Sequence, residues 1–247
     1  MQLTERIHLI GGSEVGWAPT DAIDSQIYLV DTGDGFACID SGAGRSLDRI
    51  VAEVRASGLV PERIRWILLT HGHADHAGGT AAWRRAIPGI QIAASEVVAG
   101  WLAAGDEEAL SVDRARAVGI YPGDYRLEPC EVDFVLQAEA VVELGSIRFR
   151  VVPTPGHATG HVALVAEIDG AVTAFSGDAL FPGGRILLQD IWDCDVRLAL
   201  RSVERLADHH PERLLAGHLA PILADARVHV DAALKRIARL SVPESIP

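Results

Sequence analysis

The chain has 247 residues, a net charge of −12 and a half-apolar composition poor in aromatics, long enough to bury a core in one large or two small domains. Its apolar runs fall far short of a membrane span, and its acidic field repels nucleic acid and anionic membranes at long range. Three widely spaced cysteines, Cys38, Cys130 and Cys194, make no disulfide framework. The start, Met1-Gln2-Leu3-Thr4-Glu5-Arg6, lacks the basic segment and apolar core of a secretory signal, so a cytoplasmic protein is expected.

Thr4 to Ile10 and Gln26 to Val30 read as strands joined by a Gly- and Pro-containing loop, Gly11 to Asp24. Asp31-Thr32-Gly33-Asp34-Gly35 is a hairpin turn, and Phe36 to Ile39 is the return strand. That strand ends at Asp40-Ser41-Gly42. Ser46 to Ser57 has helical periodicity through Leu47, Ile50, Val51 and Val54 and stops at Gly58.

Trp66 to Thr70 is a short continuous apolar run, the pattern of a buried strand. Directly after it, His71-Gly72-His73-Ala74-Asp75-His76 brings three histidines and an aspartate within six residues, before a helical pattern begins at Asp75. Neutral imidazole and carboxylate are ligands for first-row metals. His71 and His73, two apart in extended chain, point the same way, and Asp75 and His76 can point to a second position nearby. These four candidates, with more downstream, exceed the needs of one metal and suggest two adjacent ones.

Thr80 to Ala86 continues as a helix to Pro88-Gly89, Gln91 to Ala94 is a short strand, and Ser95 opens a further helix with Val97, Val98, Trp101 and Leu102 on one face. A second helix is expected over residues 106–117. Residues from about 95 to 140 are the least sheet-like part of the chain and form a plausible helical cover over the metal loop. Their many acidic residues read as a solvated face. Tyr121, Tyr125 and Trp101 are candidates to line a pocket beneath it.

Val132 to Leu136, Ala140 to Leu144 and Ile147 to Val152 return to strand pattern, and Val162 to Ile168 with Ala171 to Phe175 form a hairpin around Asp169-Gly170. Arg197 to Ala207 is an amphipathic helix and Arg213 to Leu215 a short strand. Asp225 to Leu240 is a closing helix with Val228, Ala232, Ile237 and Leu240 on one side, and Val242 to Pro247 reads as a frayed tail. In this half His157, Asp178 and His218 each lie just past an apolar run and next to a glycine that permits a sharp bend. Ligands gather at one edge of a sheet in this way.

The order His71-x-His73-x-Asp75-His76, then His157, Asp178 and His218, resembles the metallo-β-lactamase superfamily over nearly the whole chain. The resemblance implies an α/β/β/α sandwich. It also implies that His71, His73 and His157 bind one metal, that Asp75, His76 and His218 bind a second, and that Asp178 bridges them. His161 is left over, as a histidine that packs or hydrogen-bonds near the site. Asp40 reads either as an ordinary turn aspartate or, by the resemblance, as a residue that holds the metal loop by hydrogen bonds.

Two bridged dications, with zinc expected and iron or manganese as alternatives, make hydroxide available near neutral pH and polarise a carbonyl. Metal-assisted hydrolysis of a small molecule follows, with a metal-bridging hydroxide as nucleophile and Asp75 beside it. Asp178-Ala179-Leu180-Phe181-Pro182-Gly183-Gly184 is similar to the corresponding run of glyoxalase II thioester hydrolases. Acyl-homoserine lactonases of the same fold place a tyrosine where Phe181 stands, so a thioester or related ester is expected ahead of a lactone. Phe181, Tyr121 and Tyr125 are the substrate-binding candidates. Glutathione is not assured, because the basic residues after His218 (Arg227, Lys235, Arg236 and Arg239) lie on one short helix. A mononuclear-iron sulfur dioxygenase, a β-lactamase and a metal-binding protein without turnover are the remaining alternatives.

Overall fold

The structure is a computed structural model that describes residues 1–13 and 20–246. Strands β1 (Ile7–Gly11), β2 (Ile27–Asp31), β3 (Phe36–Ile39), β4 (Ile64–Leu68), β5 (Gln91–Ala94) and β6 (Phe134–Val135) form one sheet in chain order. Its first two pairings are antiparallel and the rest parallel. Strands β7 (Val141–Leu144), β8 (Ile147–Pro153), β9 (Val162–Ile168), β10 (Ala171–Gly177) and β11 (Arg213–Ala216) form a second sheet, ordered β11-β10-β9-β8-β7. Only the β10–β11 pair in it is parallel.

The two-residue period of the strands sorts their side chains into layers. Tyr28 and Val30 of β2 pack with Phe149, Leu164 and Phe175 of the second sheet, in a core between the sheets. Ile27 and Leu29, the alternate residues, pack with Ile50 and Val54 of α1 (Leu47–Ala56), Trp83 of α3 (Thr80–Ala86) and Leu102 of α4 (Glu96–Ala104). On the far side, Ala163, Val165 and Ala174 meet Val203 and Leu206 of α6 (Val196–Ala207) and Val230 of α7 (Ala226–Ala238). The result is the expected α/β/β/α sandwich. Strands covered on both faces have no polar side, which is why they read as continuous apolar runs. The Asp195 side chain caps α6 by accepting from the backbone N–H groups of Arg197 and Leu198, a contact worth about 1 kcal/mol. Among the described residues no helix is long and apolar enough to cross a membrane.

Several expectations change. The loop read over Gly11 to Asp24 lies partly outside the described residues, at 14–19, as does Pro247 of the tail. The rest of that tail is not frayed. Ile186 donates its N–H to Glu244 and accepts from Ile246 N, both at 2.9 Å, and the Ile246 side chain is buried against Phe181. The buried face of α7 carries Ala226, Val230 and Ala233, whereas Val228 and Leu240 stand in solvent. A thirteen-residue helix with small apolar residues on several sides offers more than one apolar stripe, and docking against α6 selects among them. The helix expected from residue 106 begins later, as α5 (Val112–Ala117). The strand expected over Val132 to Leu136 is present as β6, an edge strand of the first sheet.

Candidate metal centre

The chain leaves β4 at Leu68 and turns into α2 (Ala74–Ala77), with His71 and His73 on the connection and Asp75 and His76 in the short helix. His73 Nδ1 lies 3.1 Å from His71 Nε2 and 2.9 Å from His157 Nε2, which arrives from the loop after β8. Hydrogen bonds on the far side of two of these rings set their tautomers. His157 Nδ1 faces the Leu187 carbonyl at 3.3 Å, and a carbonyl only accepts, so His157 Nε2 carries the lone pair. The Thr70 hydroxyl gives its one proton to Asp40, at 2.9 Å from Oδ2, and therefore accepts from His71 Nδ1 at 3.1 Å. His71 Nε2 is thus a lone pair as well. Burial, reinforced by the neighbouring histidines, holds His71 well below its usual pKa. Burial likewise lowers His73 and takes His157 down to about 3. The three rings are neutral donors aimed at one point.

The second group faces them. Asp75 Oδ2 lies 3.4 Å from His76 Nε2 and 3.2 Å from His218 Nε2. Asp178, just past β10, sits between the groups: Oδ1 is 3.4 Å from His76 Nε2, and Oδ2 is 3.4 Å from His218 Nε2 and 3.5 Å from His157 Nε2. His76 Nε2 and Asp178 Oδ1 are buried, and although near each other they make no hydrogen bond. Such orphaned atoms cost about 1–3 kcal/mol or more each unless something outside the chain satisfies them. Burial alone would raise both carboxyl groups, yet His76 and His218 outweigh it and hold Asp75 and Asp178 well below the usual range. In turn burial opposes, but the carboxylates prevail, and His76 is raised well above its usual value and His218 to about 9. The pocket demands positive charge. Protons on these imidazoles or bound cations would each meet that demand.

The donor chemistry and spacing fit divalent metals. Three overlapping clusters of donor atoms occur, His71 with His73 and His157, His71 with His76 and Asp178, and Asp75 with His76 and His218. A tetrahedral site with bonds of about 2.0–2.1 Å places its donors about 3.3 Å apart, and the carboxylate–imidazole distances above fall around that value.

A further ring of contacts holds the donors. Asp40 is more than a turn residue: its Oδ2 accepts from His76 Nδ1 at 2.8 Å and its Oδ1 from Thr70 N at 2.8 Å. It does so from a left-handed backbone, φ +63°. His161 stays outside the donor clusters. Its Nε2 accepts the Asp178 backbone N–H at 3.0 Å and its Nδ1 bonds Thr154 at 2.8 Å, so it positions Asp178 through the main chain. Gly217 is required by space, since a Cβ there would strike Asp178 Oδ1 and the His76 ring. Sequence reasoning missed Thr70 and the Leu187 carbonyl. Thr70, a hydroxyl immediately before His71, was the visible signal; nothing local marks Leu187.

The donors open into a cavity of about 410 Å³, with His73, Asp75, Asp178 and His218 at its base. Residues 110–121 form one wall, including Leu110, Val118, Ile120 and Tyr121. Tyr121 donates to Asp75 Oδ1 at 2.7 Å. Three expected lining residues, Phe181, Tyr125 and Trp101, are elsewhere. Phe181 is buried, its ring stacked at 6.4 Å against His218, because Ala216 and Ile246 enclose it. Tyr125 lies beneath Tyr121 and donates to the Ala43 carbonyl at 2.9 Å. Trp101 packs edge-on to Trp192, away from the cavity lining.

A family model described as the metallo-beta-lactamase superfamily matches residues 20–218. A hydroxyacylglutathione hydrolase of Anaeromyxobacter dehalogenans is 37% identical over 161 residues, which cover 65% of this chain and 48% of that protein. One from Xanthomonas euvesicatoria is 30% identical over 219 residues, 86% of this chain and 69% of that protein. The chain thus spans about half the length of the first of these relatives. Among solved structures, a subclass B3 metallo-beta-lactamase of Bradyrhizobium japonicum superposes with a TM-score of 0.73 at 20% identity, covering 97% of this chain and 91% of that one. At that identity the likeness is one of fold.

Proposed function

The chain belongs to the metallo-beta-lactamase superfamily, and from that premise we propose that it is a dinuclear-metal hydrolase whose substrate is a thioester or related ester. The observation that carries this reading is the place of Asp178 between the two groups: Oδ2 lies 3.5 Å from His157 Nε2 of the first and 3.4 Å from His218 Nε2 of the second, and Oδ1 lies 3.4 Å from His76 Nε2 of the second. In this reading His71, His73 and His157 hold one ion, Asp75, His76 and His218 hold the other, and Asp178 spans both. Bound divalent ions, zinc first among them, supply acidified water and Lewis-acid polarisation of a carbonyl.

The chain's own residues do the rest. Thr70 and the Leu187 carbonyl fix the tautomers of His71 and His157, and Asp40 fixes that of His76. Tyr121 holds Asp75 Oδ1, which leaves Oδ2 turned to the centre. Asp75 then places a fixed negative charge beside the attacking water. Hydrolysis adds water across the acyl–sulfur bond, giving a carboxylate and a thiol. A thiol pKa near 8.5 lets the leaving group depart as thiolate near neutral pH. An alkoxide would need a proton. Tyr121, a hydroxyl on the cavity wall, favours a lactone as the second reading. Turnover of a panel of thioesters, lactones, phosphodiesters and β-lactams by metal-replete protein tests the proposal. Phosphodiester or β-lactam cleavage with inert thioesters and lactones would reject it.

A further inference from the structure

The relatives named hydroxyacylglutathione hydrolase point to an anionic peptide thiol as carrier. Glutathione bears two carboxylates and one ammonium at neutral pH, so a site for it needs unpaired cations. The cavity offers none among the described residues. Arg114 is the one arginine or lysine on its lining, and Asp190 occupies it: Nη2 meets Asp190 Oδ2 at 2.7 Å and Nε donates to the Asp190 carbonyl at 3.3 Å. The lining also carries Asp24, whose oxygens accept from Ala43 N and Ser46 Oγ, so outside the donor cluster no unpaired arginine or lysine on the described lining remains to hold an anionic carrier.

The walls above the donors are apolar instead. Leu110, Val118 and Ile120 contribute to the lining from one segment, and Leu187, Ile191 and Ile246 from two others. Val118 and Ile120 are 53% and 54% exposed, which is costly for branched aliphatic side chains unless something apolar covers them. They belong to the same cavity as the carboxylates, so what covers them is continuous with the reacting group.

We propose that this cavity selects substrates by an apolar acyl chain lying between residues 110–120 and 187–191, and not by an anionic thiol carrier. The proposal rests on the acyl-hydrolase reading above and specifies its substrate class. Val118 and Ile120 become specificity residues, and the Arg114–Asp190 pair a neutral edge to the mouth.

The test uses metal-replete protein and N-acetylcysteamine thioesters of acetyl, butyryl, hexanoyl and octanoyl groups, with S-lactoylglutathione alongside. kcat/KM is expected to rise about two- to fourfold per added methylene, as burial of apolar groups requires. The octanoyl ester should exceed S-lactoylglutathione. Val118→Asp and Ile120→Asp, both at exposed positions, should flatten that rise, lowering kcat/KM for the octanoyl ester by a much larger factor than for the acetyl ester. A flat or falling series, or a preference for S-lactoylglutathione that Ile120→Asp leaves intact, overturns the proposal while the hydrolase reading stands. If no thioester or lactone is cleaved, the hydrolase reading fails, and calorimetric binding decides this one separately. Octanoate should bind more tightly than acetate and lose that advantage in Ile120→Asp; equal binding of the two acids rejects the apolar site.

Discussion

Tyr121 and Asp75 are joined twice: the phenol donates to Asp75 Oδ1 at 2.7 Å and accepts the Asp75 backbone N–H at 3.2 Å. Burial, together with the charge of Asp75, raises the phenol pKa well above its usual value, so the hydroxyl remains a donor. The pair locks one carboxylate oxygen and frees the other for the centre. Hydrogen bonds to charged groups are worth about 1.5–3 kcal/mol. Tyr121→Phe is therefore expected to lower kcat by about tenfold or more with metal content unchanged. Steady-state kinetics beside elemental analysis check it; an unchanged kcat means the contact does not orient Asp75.

Metal content is the second prediction. Seven donors in clusters that share residues exceed one ion's requirement. Metal-replete protein should carry close to two equivalents, and Asp178→Ala should lose at least one. A firm single equivalent, indifferent to that substitution, contradicts the dinuclear reading.

Asp75 should matter for turnover more than for folding. Its side chain is partly exposed at the cavity base, and removing a fixed electrostatic group beside the reaction costs about a hundredfold or more in kcat. Asp75→Ala should show that loss with a thermal midpoint close to the parent's. Near-parental turnover on the true substrate would remove Asp75 from the mechanism.

Without metal the site sets its own pH optimum for stability. His218, raised to about 9 by the carboxylates, contributes stability present in full below its unfolded pKa near 6.5 and lost as pH rises towards 9. His157, lowered to about 3 by burial, contributes in the opposite sense, and that part is lost as pH falls from 6.5 towards 3. Thermal melts of chelator-treated protein should therefore peak near pH 6.5. Ions that bind only the folded state should raise the midpoint and flatten its alkaline limb. An alkaline limb identical with and without metal would show that His218 takes no part.

Five of the candidate donors, His71, His73, His157, Asp178 and His218, were legible because each follows an apolar run and adjoins a glycine, a local signal, and Asp75 and His76 by standing directly after the first two. The helices and strands followed from period, and all but their ends were found. What stayed hidden depends on which elements meet. Asp40 reaches His76 because β3 and β4 run parallel and the Asp40 N–H bonds the Leu68 carbonyl at 3.0 Å, a pairing no run of residues announces. Phe181 looked like a wall residue by its place after Asp178, but the pairing of Ile186 with the chain at Ser245 closes over it. Which face of α7 is buried likewise depends on its packing beside α6.

The donors come from both halves of the sandwich. His71, His73, Asp75 and His76 follow a strand of the first sheet, and His157, Asp178 and His218 follow strands of the second. Each half alone would own an incomplete set of donors. The layers already meet through the apolar core and through hydrogen bonds such as Tyr28 Oη to the Ala216 carbonyl at 2.7 Å and Val162 N to the Thr70 carbonyl at 2.8 Å; ions bound at the shared donors would add a clasp between them, so loading would tie distant stretches of chain together. Metal affinity measured during refolding thus becomes a clock for the moment the layers close: tight binding cannot precede the docking of one sheet on the other.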